Sequence, residues 1–312
     1  MRRTLNRVDN EQVRRARGLV RALHTQVPDI LYLGDSELSF VAPGDADRRR
    51  LKTMVQDGLG SRVSMHVIDG PSFQSDIYNA YLGLLDALDR PPLVIVPLCI
   101  RVRFAPWVEH SVHGLKRPTE VIRAIDPKKN AWKIHASFSR PAPSEFAVFQ
   151  RIPYPNLLPG KAVGDFLGPI REYQRAGDRS EDLVRMLYAY HHGGLLIRGS
   201  SAVDSVTQMG RRIRQLGCPA VVYQTPVPIE MGTMLFGPDF ESRTRENFAV
   251  MNEAYRLGAG EEAEIIESGL SFRTTEFLDP QDATEHLNEH GRRRLSAEIV
   301  DAVKTKLESP IR

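Results

Sequence analysis

Ser36 follows Gly34-Asp35 at the end of a short apolar run, Ile30-Leu31-Tyr32-Leu33. A serine at the carboxyl end of a buried strand faces the mouth of a cleft. Glycine permits the sharp turn there, and a helix starting just beyond would aim its N–H groups at a developing oxyanion. Taken alone, Gly-Asp-Ser reads first as a strand-to-helix turn with the serine as N-cap. A second stretch changes that. Near the C-terminus stands Asp282-Ala283-Thr284-Glu285-His286-Leu287-Asn288-Glu289-His290-Gly291, ahead of an amphipathic segment carrying Leu295, Ile299, Val300 and Val303. A histidine in a loop before a last helix, with a carboxylate a few residues earlier, suits one chemistry. The carboxylate fixes the imidazole tautomer, and the imidazole takes a serine proton. Ser36 is therefore a candidate nucleophile and His286 its general base.

Several elements must position such a pair. Residues 10–26 are amphipathic and predict a helix. Apolar runs like that before Ser36 recur at 63–68, 93–98 and 220–223, and more weakly at 263–266. Continuous apolar runs of this length are those of strands buried on both faces of a parallel sheet. Helix-like stretches at 46–59, 75–89, 202–216 and 241–257 alternate with them. The alternation predicts an α/β fold, a three-layer α/β/α sandwich on a five-stranded parallel sheet with right-handed crossovers. Reactive residues of such sheets gather beyond the carboxyl ends of the strands. From about 100 to 195 the pattern breaks, and no strand signal returns until Leu195-Leu196-Ile197. A structureless connection of that length is foreign to a compact domain. We expect a partly helical insertion after strand three (181–190 reads as helix) that covers the site, within a single domain spanning 1–312.

Composition narrows the function. The 42 basic and 39 acidic residues leave a net charge of +3, and the arginine runs at 48–50 and 292–294 lie beside acidic residues. That favours solvated helix faces over a nucleic-acid patch. No run approaches the roughly 18 apolar residues of a membrane span. Cys99 and Cys218 fit no disulfide framework or zinc spacing, which suits a reducing, cytoplasmic setting. His286 with His290, and His191 with His192, lack carboxylate or cysteine partners at ligand spacing, so no metal or other cofactor is expected. His192 beside Gly193-Gly194 could approach the cleft, although a helix end closed by glycine also explains that segment. Phe104, Trp107, Trp132 and Phe138 are candidates for an acyl pocket or for core.

Gly-Asp-Ser after strand one, together with Asp…His-Leu-Asn-x-x-Gly before the last helix, resembles the SGNH (GDSL-like) hydrolase superfamily. The middle segments Val67-Ile68-Asp69-Gly70-Pro71, Pro97-Leu98-Cys99-Ile100-Arg101-Val102-Arg103 with Trp107, and Val221-Val222-Tyr223-Gln224-Thr225-Pro226-Val227-Pro228 resemble bacterial members related to polysaccharide O-acyl transfer. So do Gly237-Pro238-Asp239-Phe240 and Asn247, and the similarity spans roughly 28–110 and 195–304. It implies a flavodoxin-like sheet, a nucleophile at Ser36, and an oxyanion hole from the N–H groups of Ser36 and Gly70. The family's third donor is usually an asparagine after strand three. Here Arg101 or Arg103 stands in that neighbourhood, as a third donor, an anion-binding group or an anchor for the insertion. Glu37 occupies a position that is usually apolar. The acid usually lies three residues before the histidine, at Ala283 here. Asp282 is preferred, because its short loop reaches His286 most directly, with Asp279 and Glu285 as alternatives.

The function expected is serine-dependent ester hydrolysis, by an esterase or deacylase acting through an acyl-enzyme on a small or carrier-bound acyl substrate. An O-acyltransferase using the same Ser-His-Asp site is the first alternative, and a non-catalytic SGNH-like binding module is the second.

Overall fold

In the computed structural model, residues 7–101, 116–125, 127, 147–148, 150–151, 153–154, 156–166 and 179–308 are described. Arg103, Phe104, Trp107, Trp132 and Phe138 lie outside the described residues. Five parallel strands, β1 (Ile30–Gly34), β2 (Met65–Asp69), β3 (Leu93–Leu98), β4 (Ala220–Gln224) and β5 (Ile265–Ile266), pair in the order β2-β1-β3-β4-β5. This is the flavodoxin-like order predicted.

Alternation along the strands sorts their side chains between two cores. Leu31, Leu33, Val94, Val96 and Val222 face one, with Leu19, Val20 and Leu23 of the helix Arg7–Thr25 and apolar residues of Ser75–Leu82, Ser201–Leu216 and Pro238–Ala259. Ile30, Tyr32, Ile95, Val221 and Tyr223 face the other, with Leu51 and Val55 of Leu51–Leu59 and Leu295, Ile299 and Val303 of Glu289–Glu308. Both faces are therefore covered, and the central strands have no wet side. That is why they read as unbroken apolar runs.

Four sequence expectations shift. The helix expected over 46–59 begins only at Leu51. The buried Arg292 takes the carbonyls of Asp47 (2.7 Å) and Arg49 (3.1 Å) as acceptors, and the Asp45 carboxylate at 2.7 Å. Those carbonyls thus serve the C-terminal helix instead of a local turn. The same contacts correct the reading of 292–294 as a wholly solvated arginine face. Leu195-Leu196-Ile197 is not a strand. The Asn247 side chain accepts from Leu196 N (2.8 Å) and donates to Gly194 O (2.9 Å), which satisfies this backbone without a ladder. The stretch 75–89 is helical only over Ser75–Leu82 and then tightens into a 3₁₀ turn, Gly83–Ala87.

Within 100–195, the described residues include the helices Lys116–Arg123 and Glu181–His192, with further helical residues at 147–148, 150 and 163–166. The helix Glu181–His192 packs beneath the loop that carries His286. Tyr188 donates its hydroxyl to Pro280 O, and His192 Nε2 bonds Ala283 O at 3.0 Å.

Candidate active site

Strand register brings the first pieces together. Gly34 of β1 is paired with Asp69 of β2, so Ser36 and Gly70 both lie just past the same edge of the sheet. Ser36 opens a 3₁₀ turn, Ser36–Leu38, capped by Asp35, whose carboxylate accepts from Glu37 N at 2.8 Å. A Cβ at Gly34 would overlap the Leu38 side chain, so glycine is required for the turn to fold back. The turn is tied to β2 from the side. Lys52 Nζ donates to Asp69 at 2.8 Å and to Ser39 Oγ at 3.0 Å, and Ser39 donates to Asp69. Gly70 allows the Phe73 ring and the Arg15 guanidinium to approach; a Cβ would lie 2.5 Å from Phe73 Cζ and 2.7 Å from Arg15 Nη1.

The histidine arrives on a loop closed at its base. Phe277 and Leu287 form an antiparallel bridge, and Leu278 N donates to His286 O at 2.9 Å. Asn288 then caps the C-terminal helix, accepting from His290 N (3.0 Å) and Gly291 N (3.2 Å), while its amide donates to Thr275 O at 2.7 Å. This accounts for the His-Leu-Asn-x-x-Gly spacing: the asparagine both starts the helix and fastens the returning chain. Ala283, fully buried, sits in the left-handed region at φ 51°, a conformation that costs a non-glycine residue on the order of 1 kcal/mol. Its carbonyl is the acceptor for His192.

Ser36 Oγ and His286 Nε2 meet at 3.0 Å. Phe40 stacks on the imidazole, with centroids 3.9 Å apart and planes at 15°. Burial lowers the pKa of His286 below the ordinary histidine range, Glu285 and Asp282 oppose that, and Arg101 reinforces it. The ring is thus a neutral acceptor near pH 7. With Nε2 facing the hydroxyl, a base needs its proton on Nδ1.

Of the three carboxylates weighed as the acid, Asp279 is engaged elsewhere. It caps the 3₁₀ turn Pro280–Asp282 through Gln281 N at 3.1 Å and pairs with Arg179. Glu285, buried beside His286, is ion-paired with Arg101, whose Nη2 donates to Oε1 at 2.7 Å. Asp282 stands at the end of the turn and acts on His286 through its charge. Arg101 does reach the site, but two of its nitrogens face Glu285.

Glu37, conspicuous in the sequence, lies buried beneath the Ser36 turn. Tyr223 donates its hydroxyl to Glu37 Oε1, and the Tyr32 and Tyr223 hydroxyls are 3.1 Å apart. Burial, then the neighbouring Asp35, pushes the Glu37 carboxyl well above its usual range, so the neutral acid is favoured. Asp35, Cys99 and Glu285 are the described residues whose ligand atoms cluster closely enough to hold a metal. The Arg101 guanidinium already supplies the cation on Glu285, so this donor set fits a metal poorly. His290 is exposed beside Glu289. His191 and His192 are neighbours on one helix, and burial holds both below the ordinary histidine range.

Phe40 and the Arg101–Glu285 pair were not foreseen as they stand. Phe40 carries no sequence signal beyond its place four residues after Ser36. Arg101 and Glu285 were each noted, but nothing in the sequence joins them. Comparison of the chain with family models, curated proteins and solved structures returns no match.

Proposed function

We propose that the chain is a serine esterase or deacylase of the SGNH type, acting through an acyl-enzyme on a small or carrier-bound acyl ester. The observation that carries this reading is the 3.0 Å contact between Ser36 Oγ and His286 Nε2 at the carboxyl edge of a parallel sheet. Ser36 Oγ attacks the ester carbonyl as its proton passes to His286 Nε2. The N–H groups of Ser36 and Gly70 hold the oxyanion. His286 then returns the proton to the departing alkoxide, which leaves as the alcohol. Water, deprotonated by His286, adds to the acyl-enzyme, and Ser36 leaves with that proton as the acid is released. Asp282 serves as the acid that stabilises the imidazolium.

No described helix is long and apolar enough to cross a membrane. A cytoplasmic setting is part of the proposal, supported by the two buried cysteines, Cys99 and Cys218, neither of which is in a disulfide.

A series of p-nitrophenyl esters of graded acyl length, each with and without alcohol acceptors, tests the reading. The expected result is p-nitrophenol release that depends on chain length and is abolished in Ser36→Ala. A new ester formed with an added alcohol would assign the transferase alternative. Equal release by wild type and Ser36→Ala would contradict the proposal.

A further inference from the structure

Asp35 directly precedes Ser36, and Glu285 directly precedes His286. Both are buried to within 1% exposure, far from the usual setting of a carboxylate. Oxygens of the two, with Cys99 Sγ, lie within 4.8 Å of one another. Arg101, three residues past the end of β3, places Nη2 2.7 Å from Glu285 Oε1 and Nε 2.5 Å from Oε2. Three separate loops at the sheet's edge therefore meet in one dry contact. They are the loops that bear the nucleophile, the histidine and the chain leaving β3.

Charge counting decides what state that contact holds. Two carboxylates whose oxygens lie within 4.8 Å of each other repel by at least about 3 kcal/mol at an effective dielectric near 20. One guanidinium balances only one of them. Glu37 faces the pair from the nucleophile turn and adds no positive charge. His191 and His192, from the helix Glu181–His192, are held neutral by burial. Tyr32 and Tyr223, from the sheet, are pushed well above the ordinary phenol range. A single proton between the two carboxyls closes the balance.

We propose that Arg101, Glu285 and Asp35 are positioning residues. They form a buried link, closed by one shared proton, that fixes the distance between the nucleophile turn and the histidine loop. The link rests on the reading of Ser36 and His286 as the reacting pair. It gives Arg101 a role distinct from an oxyanion donor: its guanidinium acts on Glu285, and through Glu285 on the reach of His286.

Charge-removing variants of the full chain test it with two independent readouts. The first is the rate of Ser36 modification by a fluorophosphonate. Displacing a reacting group by about 1 Å costs on the order of 10²-fold, so Arg101→Gln and Glu285→Gln are each expected to slow labelling by about that factor. The double variant should be no slower than either single one. The second readout needs no activity. Infrared spectroscopy at pH 7 of the Glu37→Gln chain, which lacks the neutral Glu37 carboxyl, should reveal a protonated carboxyl band that Asp35→Asn removes. Slow labelling in Arg101→Gln with normal labelling in Glu285→Gln would overturn the proposal in favour of an oxyanion role. A band unchanged by Asp35→Asn would overturn the shared proton. Absence of labelling in the wild type would overturn the catalytic reading and the positioning role with it, while the band would still decide the proton.

Discussion

Phe40 lies flat on the imidazole of His286, with ring centroids 3.9 Å apart, although Phe40 itself is 46% exposed. One ring therefore serves as a cover: its outer face meets solvent and its inner face lies against the imidazole. Stacking of this kind is worth about 0.5–1.5 kcal/mol, which corresponds to up to roughly tenfold in rate if it is felt in the transition state.

Phe40→Ala is accordingly expected to lower kcat by up to about tenfold. It should also change the pH profile. Burial holds His286 below its ordinary range, so admitting water raises its pKa. Activity needs the neutral ring, so the acid limb of the kcat/KM profile moves to higher pH. A limb that stays put in Phe40→Ala would exclude the covering role.

Asp282 and Asp279 should separate cleanly. With Asp282 as the triad acid, Asp282→Asn lowers kcat by on the order of 10²–10⁴ while thermal stability changes little. Asp279 caps the turn through Gln281 N and pairs with Arg179. Asp279→Asn should instead cost on the order of 1 kcal/mol of stability and leave kcat near wild type. Steady-state kinetics and thermal melts of the two variants, run side by side, check the assignment; the reverse pattern would transfer the acid to Asp279.

The Tyr32–Tyr223–Glu37 chain makes a stability prediction. Tyr223→Phe removes the donor to Glu37 and the partner of Tyr32, at a cost of about 1–3 kcal/mol. Glu37→Gln should do the opposite at neutral pH. The folded pKa of Glu37 lies above its unfolded value, so folding favours the neutral acid. Its contribution is complete below the ordinary glutamate range and is lost as pH rises through the folded pKa. A glutamine is neutral throughout and escapes that loss. Melting temperatures of Glu37→Gln should thus fall less steeply with rising pH than those of wild type, and parallel curves would refute the neutral-acid assignment.

The sheet was legible because its central strands are buried on both faces. Nothing polar interrupts Leu93–Leu98, and the turn signal Gly34-Asp35-Ser36 ends β1 abruptly. The pairing of Ser36 with His286 was legible because each sits where a strand or helix boundary forces a loop. The contacts that tune the pair were not. Arg101 and Glu285 are 184 positions apart, and their charges look like surface charges until the fold buries them together. Glu37 stands where the resemblance implies an apolar residue, and its partner is a tyrosine hydroxyl from a distant strand, Tyr223, itself beside Tyr32. Leu195-Leu196-Ile197 carries the apolar pattern of a strand, whereas in the fold the Asn247 side chain takes the place of a neighbouring strand.

The most direct test of the central claim is mass spectrometry of the intact chain after treatment with a fluorophosphonate probe, followed by mapping of the modified peptide. The account predicts a single adduct on Ser36, absent in Ser36→Ala and strongly slowed in His286→Ala. Wild-type protein that stays unmodified, or an adduct that persists in Ser36→Ala, would contradict it.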